Sequence, residues 1–348
     1  MTPAEENMVL ILTESEIRGL VDLDRARTSV ADAFRALHRG EATLASVISL
    51  PFAHPRGVAH IKAGHLHDDA VWTAKVSTDF YPDDGSGTRH GGLMLVLSAS
   101  DGDVVGVLVD NGYLTELRTG AAGAIASDLL ARRDARTAAI IGAGSQARYQ
   151  LDALLKVRSI ETVHVASRSL DRAKAFVHQI ESSYGLPAHM YDSVESAVRG
   201  VDIVVTTTPS STPLVEADWL DAGTHVTAVG SDEPTKQELA PDVLARADVI
   251  AVDDRGQAAR LGELHHAIEQ GLCDEADAVT LGELLEGDAR GRIGAEDVTV
   301  ADLTGVGVQD AAIAALVVRE ATRQQAVHLH VRDEEAKVGG PSPRSPAD

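Results

Sequence analysis

Residues Thr137–Ile141 form an apolar run that leads into Gly142-Ala143-Gly144-Ser145-Gln146-Ala147 and then into helix-forming residues from Arg148 to Val157. The pattern is a strand, a G-x-G-x-x-A turn and a helix, with a second apolar strand following at Glu161–Ala166. In such a turn the first glycine permits the tight bend and the second lets backbone approach a pyrophosphate. The alanine is the small residue needed where helix packs on strand. The amides of Ser145, Gln146 and Ala147 would then face the phosphates at the helix N-terminus. A structural turn can carry the same letters, but the strand–turn–helix setting favours a dinucleotide. Position constrains the chain as much as the motif does, because a block of domain size precedes the turn.

That block has a different texture. Thr13, with Glu16 three residues on, reads as the N-cap of a short helix, and a second helix is expected from Leu23 to His38, stopping at Gly40. From Ala45 to Asp110 the chain shows short apolar stretches: Ser46–Pro51, Gly57–Ala63, Ala70–Val76, Leu93–Ser98 and Val104–Val109. Asp101-Gly102 is a strong hairpin signal between the last two. This predicts an α+β block with a mainly antiparallel sheet, followed by a long helix from Thr115 to Arg132. Beyond Arg136, strands are expected at Thr137–Ile141, Thr162–Ala166, His189–Tyr191, Ile203–Thr207, His225–Val229 and Val249–Val252, with helices between. Such alternation implies a parallel sheet with right-handed crossovers. Ala311–Ala326 reads as one more helix after the glycine-rich Thr304-Gly305-Val306-Gly307. The fold class is therefore α/β: a Rossmann dinucleotide-binding domain over 126–307, and an α+β domain over 1–125 with 308–331. Residues 332–348 read as a disordered tail.

Composition narrows the function. A net charge of −22 argues against nucleic acid as a partner, since phosphate neutralisation needs clustered Lys and Arg. Cys273 is the only cysteine, so neither an intrachain disulfide nor a cysteine-based metal site is possible; this fits a reducing cytoplasm. The N-terminal residues show no signal-peptide pattern and no apolar run is long enough to span a membrane.

Several residues stand out as site candidates. The end of the second Rossmann strand, where the adenosine ribose is read, carries Ser167-Arg168-Ser169 with no acid before Asp171. Arg168 inclines the cofactor towards NADP, with NAD beside a solvated arginine as the alternative. Thr207 and Thr208 lie at a strand's carboxyl end, where ligands gather in open parallel sheets. Asp232, in Gly230-Ser231-Asp232-Glu233-Pro234-Thr235-Lys236, has the same kind of position. It reads equally as an acid/base for a substrate amine or imine and as the cap of a following helix. Lys75 and Arg118 are cations among apolar and small neighbours. They call for an anionic partner, either a protein carboxylate or a ligand. His265-His266 is half a metal site at most, because adjacent helical side chains point in different directions; no metal is expected.

Taken together, Lys75-Val76-Ser77 with Tyr81-Pro82, Leu114-Thr115-Glu116-Leu117-Arg118-Thr119, the Gly142–Ala147 turn, Gly230 through Leu239 and Gly305 through Asp310 resemble the ornithine cyclodeaminase/mu-crystallin family. They come in the family's order and cover roughly residues 10–330. Asp110-Asn111-Gly112-Tyr113-Leu114-Thr115 and Leu261 through His266 further resemble the subgroup linked with ectoine utilisation and, more loosely, imino-acid reductases. The resemblance implies a homodimer whose α+β domain carries substrate contacts and the dimer interface. Arg118 and Lys75 would hold the substrate's α-carboxylate, the guanidinium by bidentate pairing. Asp232 would handle the substrate nitrogen beside the nicotinamide. Thr119, Gly230, Ser231, Lys236 and Gly305 join the turn residues as implied cofactor contacts. The reaction would be hydride transfer to or from the α-carbon of a small imino or amino acid. Cyclodeamination with ammonia release is the alternative, and an NAD(P)H-binding protein without catalysis is a third reading. One departure is notable. Ser49 stands where the family often has a carboxylate-binding arginine, while Lys62 supplies a lysine where many members have none. Lys62 could grip a second carboxylate or form a surface pair.

Overall fold

The computed structural model of the protein describes residues 9–54, 56–82 and 88–338. The chain opens with β1 (Leu10–Thr13), which passes into α1 (Glu14–Arg18) where the Thr13 amide donates to the Glu16 carboxylate at 2.8 Å. The predicted capping pair is therefore in place, with Thr13 closing the strand as it caps the helix. Helix α2 (Leu23–His38) follows, capped by Asp22. Then come β2 (Ala42–Leu44), β3 (Ile48–Phe52), β4 (Gly57–Leu66), β5 (Val71–Phe80), β6 (Arg89–Ser98) and β7 (Val104–Val109). They form one sheet in the order β1-β7-β6-β5-β4-β2, with β3 beside β4. Every pairing is antiparallel except β1 with β7. The expected antiparallel block is present; β1 and β2 are too short to show a period and escaped the sequence reading.

Helix α3 (Tyr113–Leu130) starts before the expected Thr115 because the Asp110 carboxylate accepts the Leu114 amide at 2.9 Å. The chain then alternates: β8 (Thr137–Ile141), α4 (Ser145–Leu154), β9 (Thr162–Ala166), α5 (Leu170–Tyr184), β10 (Ala188–Tyr191), α6 (Val194–Val198), β11 (Ile203–Thr206), β12 (Ser211–Val215) and β13 (His225–Ala228). It continues through β14 (Gln237–Leu239), α7 (Pro241–Arg246), β15 (Val249–Val252), α8 (Arg255–Leu261), α9 (Glu263–Glu269), β16 (Ala278–Thr280), α10 (Leu281–Glu286) and β17 (Thr299–Asp302). Eight of these strands make a parallel sheet in the order β10-β9-β8-β11-β13-β17-β15-β16, while β12 pairs with β14 apart from it. Strand order reverses between β8 and β11, which is the switch point where a Rossmann sheet opens a crevice at its carboxyl edge.

The last element, α11 (Gly307–Val338), returns to the first sheet and packs on β4 and β5. Its first turn lies directly on β4: a Cβ on Gly307 would stand 2.3 Å from the Ala63 carbonyl oxygen, and one on Gly64 would stand 2.6 Å from Gly307. Only glycine at both positions allows this approach. The helix is longer than the expected Ala311–Ala326 and takes in 332–338, which the sequence reading assigned to a tail. Glu334, Glu335, Ala336 and Lys337 are good helix formers, so charge alone does not end a helix. Residues 339–348 lie outside the described residues.

Two apolar clusters cover the two faces of the parallel sheet. A third unites α2, α3 and α11 with residues from α10 and β17, joining both sheets through shared packing.

Candidate active site

Two connected hollows occupy the junction of the sheets. The outer one, about 500 Å³, opens above the carboxyl ends of β8, β9 and β11. Gly142 has φ of +118°, and a Cβ there would lie 2.4 Å from Thr207 Oγ1, so the tight turn admits only glycine. A Cβ on Gly144 would meet nothing within 4 Å and would instead fill the hollow itself. Ser145 and Gln146 begin α4 beneath it, Thr207 and Thr208 close one side, and Ser167 and Arg168 lie along the far wall. Arg172, not singled out in the sequence, lines the same wall, as does Asp192. Glycine-bounded space at a helix N-terminus and a switch point fits the diphosphate of a dinucleotide.

The inner hollow, about 140 Å³, is lined by His60, Lys62, Lys75, Arg118 and Asp232 together with Gly305. Arg118 Nε and Lys75 Nζ both donate to Asp310 Oδ1 at 3.1 Å, and Lys75 is also 3.1 Å from Oδ2. All three side chains are buried. Sharing one carboxylate between two cations leaves a net positive charge facing the cavity. Burial, then the Arg118 guanidinium, draws Lys75 down to about 7, against the pull of Asp310. Burial alone would raise Asp310, but Lys75, Arg118 and Lys62 hold it below the usual carboxylate range. The sequence left open whether the two cations meet a protein carboxylate or a ligand. They meet Asp310 and face the cavity as well.

Asp232 stands where the hollows join. Lys236 Nζ donates to its Oδ1 at 2.7 Å and lies 2.8 Å from Glu233 Oε1. Burial acts to raise Asp232, yet Lys236, Lys62 and His60 outweigh it and keep the group an anion. No helix follows it: the chain turns into β14, so the helix-cap alternative falls. A carboxylate held ionised at a cavity mouth can stabilise a protonated C=N or take a proton from an amine.

The sequence profile of the ornithine cyclodeaminase/mu-crystallin family matches residues 5–325. The chain belongs to that family. An uncharacterized cyclodeaminase of Sinorhizobium fredii is 43% identical over 92% of this chain and 98% of its own length. An archaeal alanine dehydrogenase, solved as a dimer with bound NAD, superposes with a TM-score of 0.84 at 35% identity, covering 91% of this chain and 97% of that one. The iminosuccinate reductase of Paracoccus denitrificans, solved with NAD+, gives 0.80 at 30% identity over 91% and 97%. The protein is thus an NAD(P)-dependent oxidoreductase of this family, acting on a small imino or amino acid at CH–NH or CH–NH2.

Not every residue assigned to the cofactor reaches the outer hollow. Ala147 is buried where α4 packs, and Ser231 is buried with its hydroxyl donating to the Lys236 carbonyl. Thr119 and Gly305 line the inner hollow instead. Gly305 has φ of +76°, and a Cβ there would press on the Arg118 guanidinium at 2.6 Å. Gly230 and Lys236 line the outer hollow. Lys62 is not a surface residue: it is 3% exposed, and its Nζ donates to the Thr304 and Gly305 carbonyls at 3.0 and 2.7 Å. Ser49 is exposed on edge strand β3, opposite His60 in register. His265 and His266 do not diverge fully; their rings lie 5.1 Å apart, and with Glu269 they bring three ligand atoms within 4.8 Å of one another.

Sequence reasoning missed His60, Glu116, Glu238 and Asp310. Glu116 lines both hollows and holds Gln146, whose Nε2 donates to its carboxylate at 2.6 Å. It stands in the stretch that carries Arg118, so its place in that motif was the available signal. Glu238 and Asp310 likewise lie in the stretches Gly230–Leu239 and Gly305–Asp310 that carry the family resemblance, but nothing local gave them a role, and His60 stands outside every such stretch. Their roles come from contacts across the fold.

Proposed function

We propose that the protein reduces a small α-imino acid to the amino acid, with Arg118 and Lys75 holding the α-carboxylate and Asp232 facing the nitrogen. The observation that carries this reading is the inner hollow, where a net-positive clamp and an ionised carboxylate face one another beside the dinucleotide cleft. When bound, NAD(P)H supplies the hydride. Arg118 and Lys75 fix the carboxylate by charge-assisted hydrogen bonds and so orient the imine carbon towards the outer hollow. The Asp232 carboxylate favours the protonated C=N, the better electrophile. Once the carbon is reduced, the C=N electron pair rests on nitrogen, and the neutral amine takes up a proton to leave as ammonium.

Cyclodeamination is the second reading, and one feature disfavours it. An ornithine-like substrate would bring a second ammonium into a cavity already holding Lys62, Lys75 and Arg118. For the cofactor, Arg168 with Arg172 supports a 2′-phosphate and hence NADP, whereas Asp192 on the same wall suits a ribose hydroxyl. A homodimer is proposed from the archaeal relative and from the outer face of β3 and β4, where Ile48, Leu50, Phe52 and Ile61 are exposed. A cytoplasmic setting is proposed from the single cysteine.

Purified protein incubated with imines formed from ammonia and 2-oxo acids should consume reduced cofactor continuously, NADPH in preference to NADH. An Asp232→Asn variant should lose roughly 10²–10⁴-fold in kcat while still binding the reduced cofactor. Ammonia release from ornithine or diaminobutyrate without net cofactor turnover would support the second reading instead. Full activity in the Asp232→Asn protein would remove the role given to that residue.

A further inference from the structure

Strand β4 carries His60 and Lys62 on one face, two residues apart, so both side chains point towards α11 and the inner hollow. Neither is consumed by the carboxylate clamp. Lys62 is buried and, among the described residues, makes no ion pair; two of its three N–H groups go to the carbonyls of Thr304 and Gly305. The third is available to a ligand. His60 is 2% exposed, and its Nε2 has no hydrogen-bond partner, the nearest carboxylate oxygen being Glu233 Oε1 at 3.7 Å. Burial holds that imidazole towards its neutral form.

The charges around the hollow can be counted. Lys75 and Arg118 share Asp310, and Lys236 pairs with both Asp232 and Glu233. One carboxylate from the substrate balances the excess on the clamp. Lys62 then remains as a buried ammonium with no carboxylate in ion-pair contact among the described residues. Asp232 and Asp253 act on it only at longer range, and Asp253 is engaged by Thr304 and the Gly305 amide, so a ligand carboxylate in contact would be favoured. Beside it waits an imidazole nitrogen with its hydrogen-bonding capacity unused.

We propose that Lys62 and His60 form a second carboxylate subsite, making the substrate a short-chain α-imino or α-amino dicarboxylic acid. The distal carboxylate lies between Lys62 Nζ and His60 Nε2, the α-carboxylate is on Arg118 and Lys75, and the nitrogen faces Asp232. A cavity of about 140 Å³ limits the skeleton to a few carbons. The reaction is the one given above, and the distal carboxylate takes no part in bond making. This inference rests on the imine-reduction reading and specifies its substrate class.

The test compares oxaloacetate and 2-oxoglutarate, each with ammonia, against pyruvate and glyoxylate with ammonia, using the full chain and reduced cofactor. A dicarboxylate should be preferred by roughly a hundredfold or more in kcat/KM, on the scale expected when a buried polar site loses its partner. Lys62→Met should lower the ratio of dicarboxylate to monocarboxylate kcat/KM at least tenfold, through KM rather than kcat. His60→Leu should act in the same direction, with His60→Gln restoring part of the ratio through its amide. Thermal-shift measurements without cofactor give an independent readout: succinate should stabilise the wild-type chain more than propionate, and Lys62→Met should erase that difference. If pyruvate or glyoxylate imines are reduced as efficiently as the dicarboxylates, the subsite is overturned while imine reduction stands. If no imine is reduced by protein that binds the reduced cofactor, the imine-reduction reading fails and the subsite with it.

Discussion

Lys75 lies directly opposite Lys62 across β4 and β5, with Arg118 approaching from α3. Facing like charges are unfavourable in a sheet, and the carboxylates of Asp310, in contact with Lys75 and Arg118, and of Asp232, nearer Lys62, offset the cluster. Burial first, and Arg118 second, lower Lys75 to about 7. Lys75 in the free enzyme is therefore charged below that pH and loses its proton above it, whereas a carboxylate ligand binds the charged form. We expect kcat/KM to fall as pH rises through about 7, with KM rising and kcat changing less, because bound substrate holds the proton in place. Lys75→Arg should move that limb to higher pH, since guanidinium does not deprotonate in this range. A kcat/KM profile with the same limb in both proteins would remove Lys75 from the carboxylate clamp. The sequence showed that Lys75 and Arg118 needed an anion. Asp310 could not be paired with them, because it lies 192 residues beyond Arg118 and reaches it only through the return of α11.

Elements are joined around the cleft by carboxylates that local patterns do not reveal. Glu238, on β14, accepts from Thr206 Oγ1, from the amide and hydroxyl of Thr208, and from the Gly230 amide. It thereby fastens the end of β11 to the loop that carries Asp232. Glu263 in turn accepts the amides of Glu238 and Leu239. Glu238→Ala leaves a group of buried donors unpaired and should cost about 3 kcal/mol, lowering Tm by roughly 4 °C. Cofactor affinity should weaken together with Tm, read by fluorescence titration of the reduced cofactor. A variant with unchanged Tm and affinity would show that the loops hold their places without it. The strands of the parallel sheet that were legible are those with continuous apolar runs, such as Ile203–Thr206 and Val249–Val252. Strand β12 opens with Ser211, Thr212 and Pro213, β14 and β16 have three residues each, and β17 carries the polar ends Thr299 and Asp302, so no apolar run distinguishes them from loop. Asp302 is buried beneath α9, where its carboxylate accepts the Leu264 amide.

Across the whole molecule the first sheet is covered on one face by α11 and bare on the other. Alternation along β3 puts Ile48, Leu50 and Phe52 on the bare face, and Ile61 of β4 lies opposite Ile48. A contiguous apolar surface of this kind marks an interface more often than a free surface, and a second copy of the chain is the occupant proposed for it. Light scattering should give twice 36.6 kDa, and Leu50→Asp should reduce it to a single mass with loss of thermal stability. A monomeric wild-type chain at micromolar concentration would exclude this assembly. No helix among the described residues is long and apolar enough to cross a membrane.

Read alone, the sequence determined the Rossmann turn, the antiparallel block before it, and four of the charged residues that line the inner hollow: Lys62, Lys75, Arg118 and Asp232. These depend on local chemistry: a glycine that must turn, an apolar run that must be buried, a cation that must find an anion. Tertiary structure decided which anion each cation meets, that Lys62 is buried rather than solvated, and that His60 joins it. Such pairings span from β4 to α11 and from α3 to the first turn after β17, and burial makes them costly to leave unmet. Their physical cause is desolvation, which only the packed chain imposes.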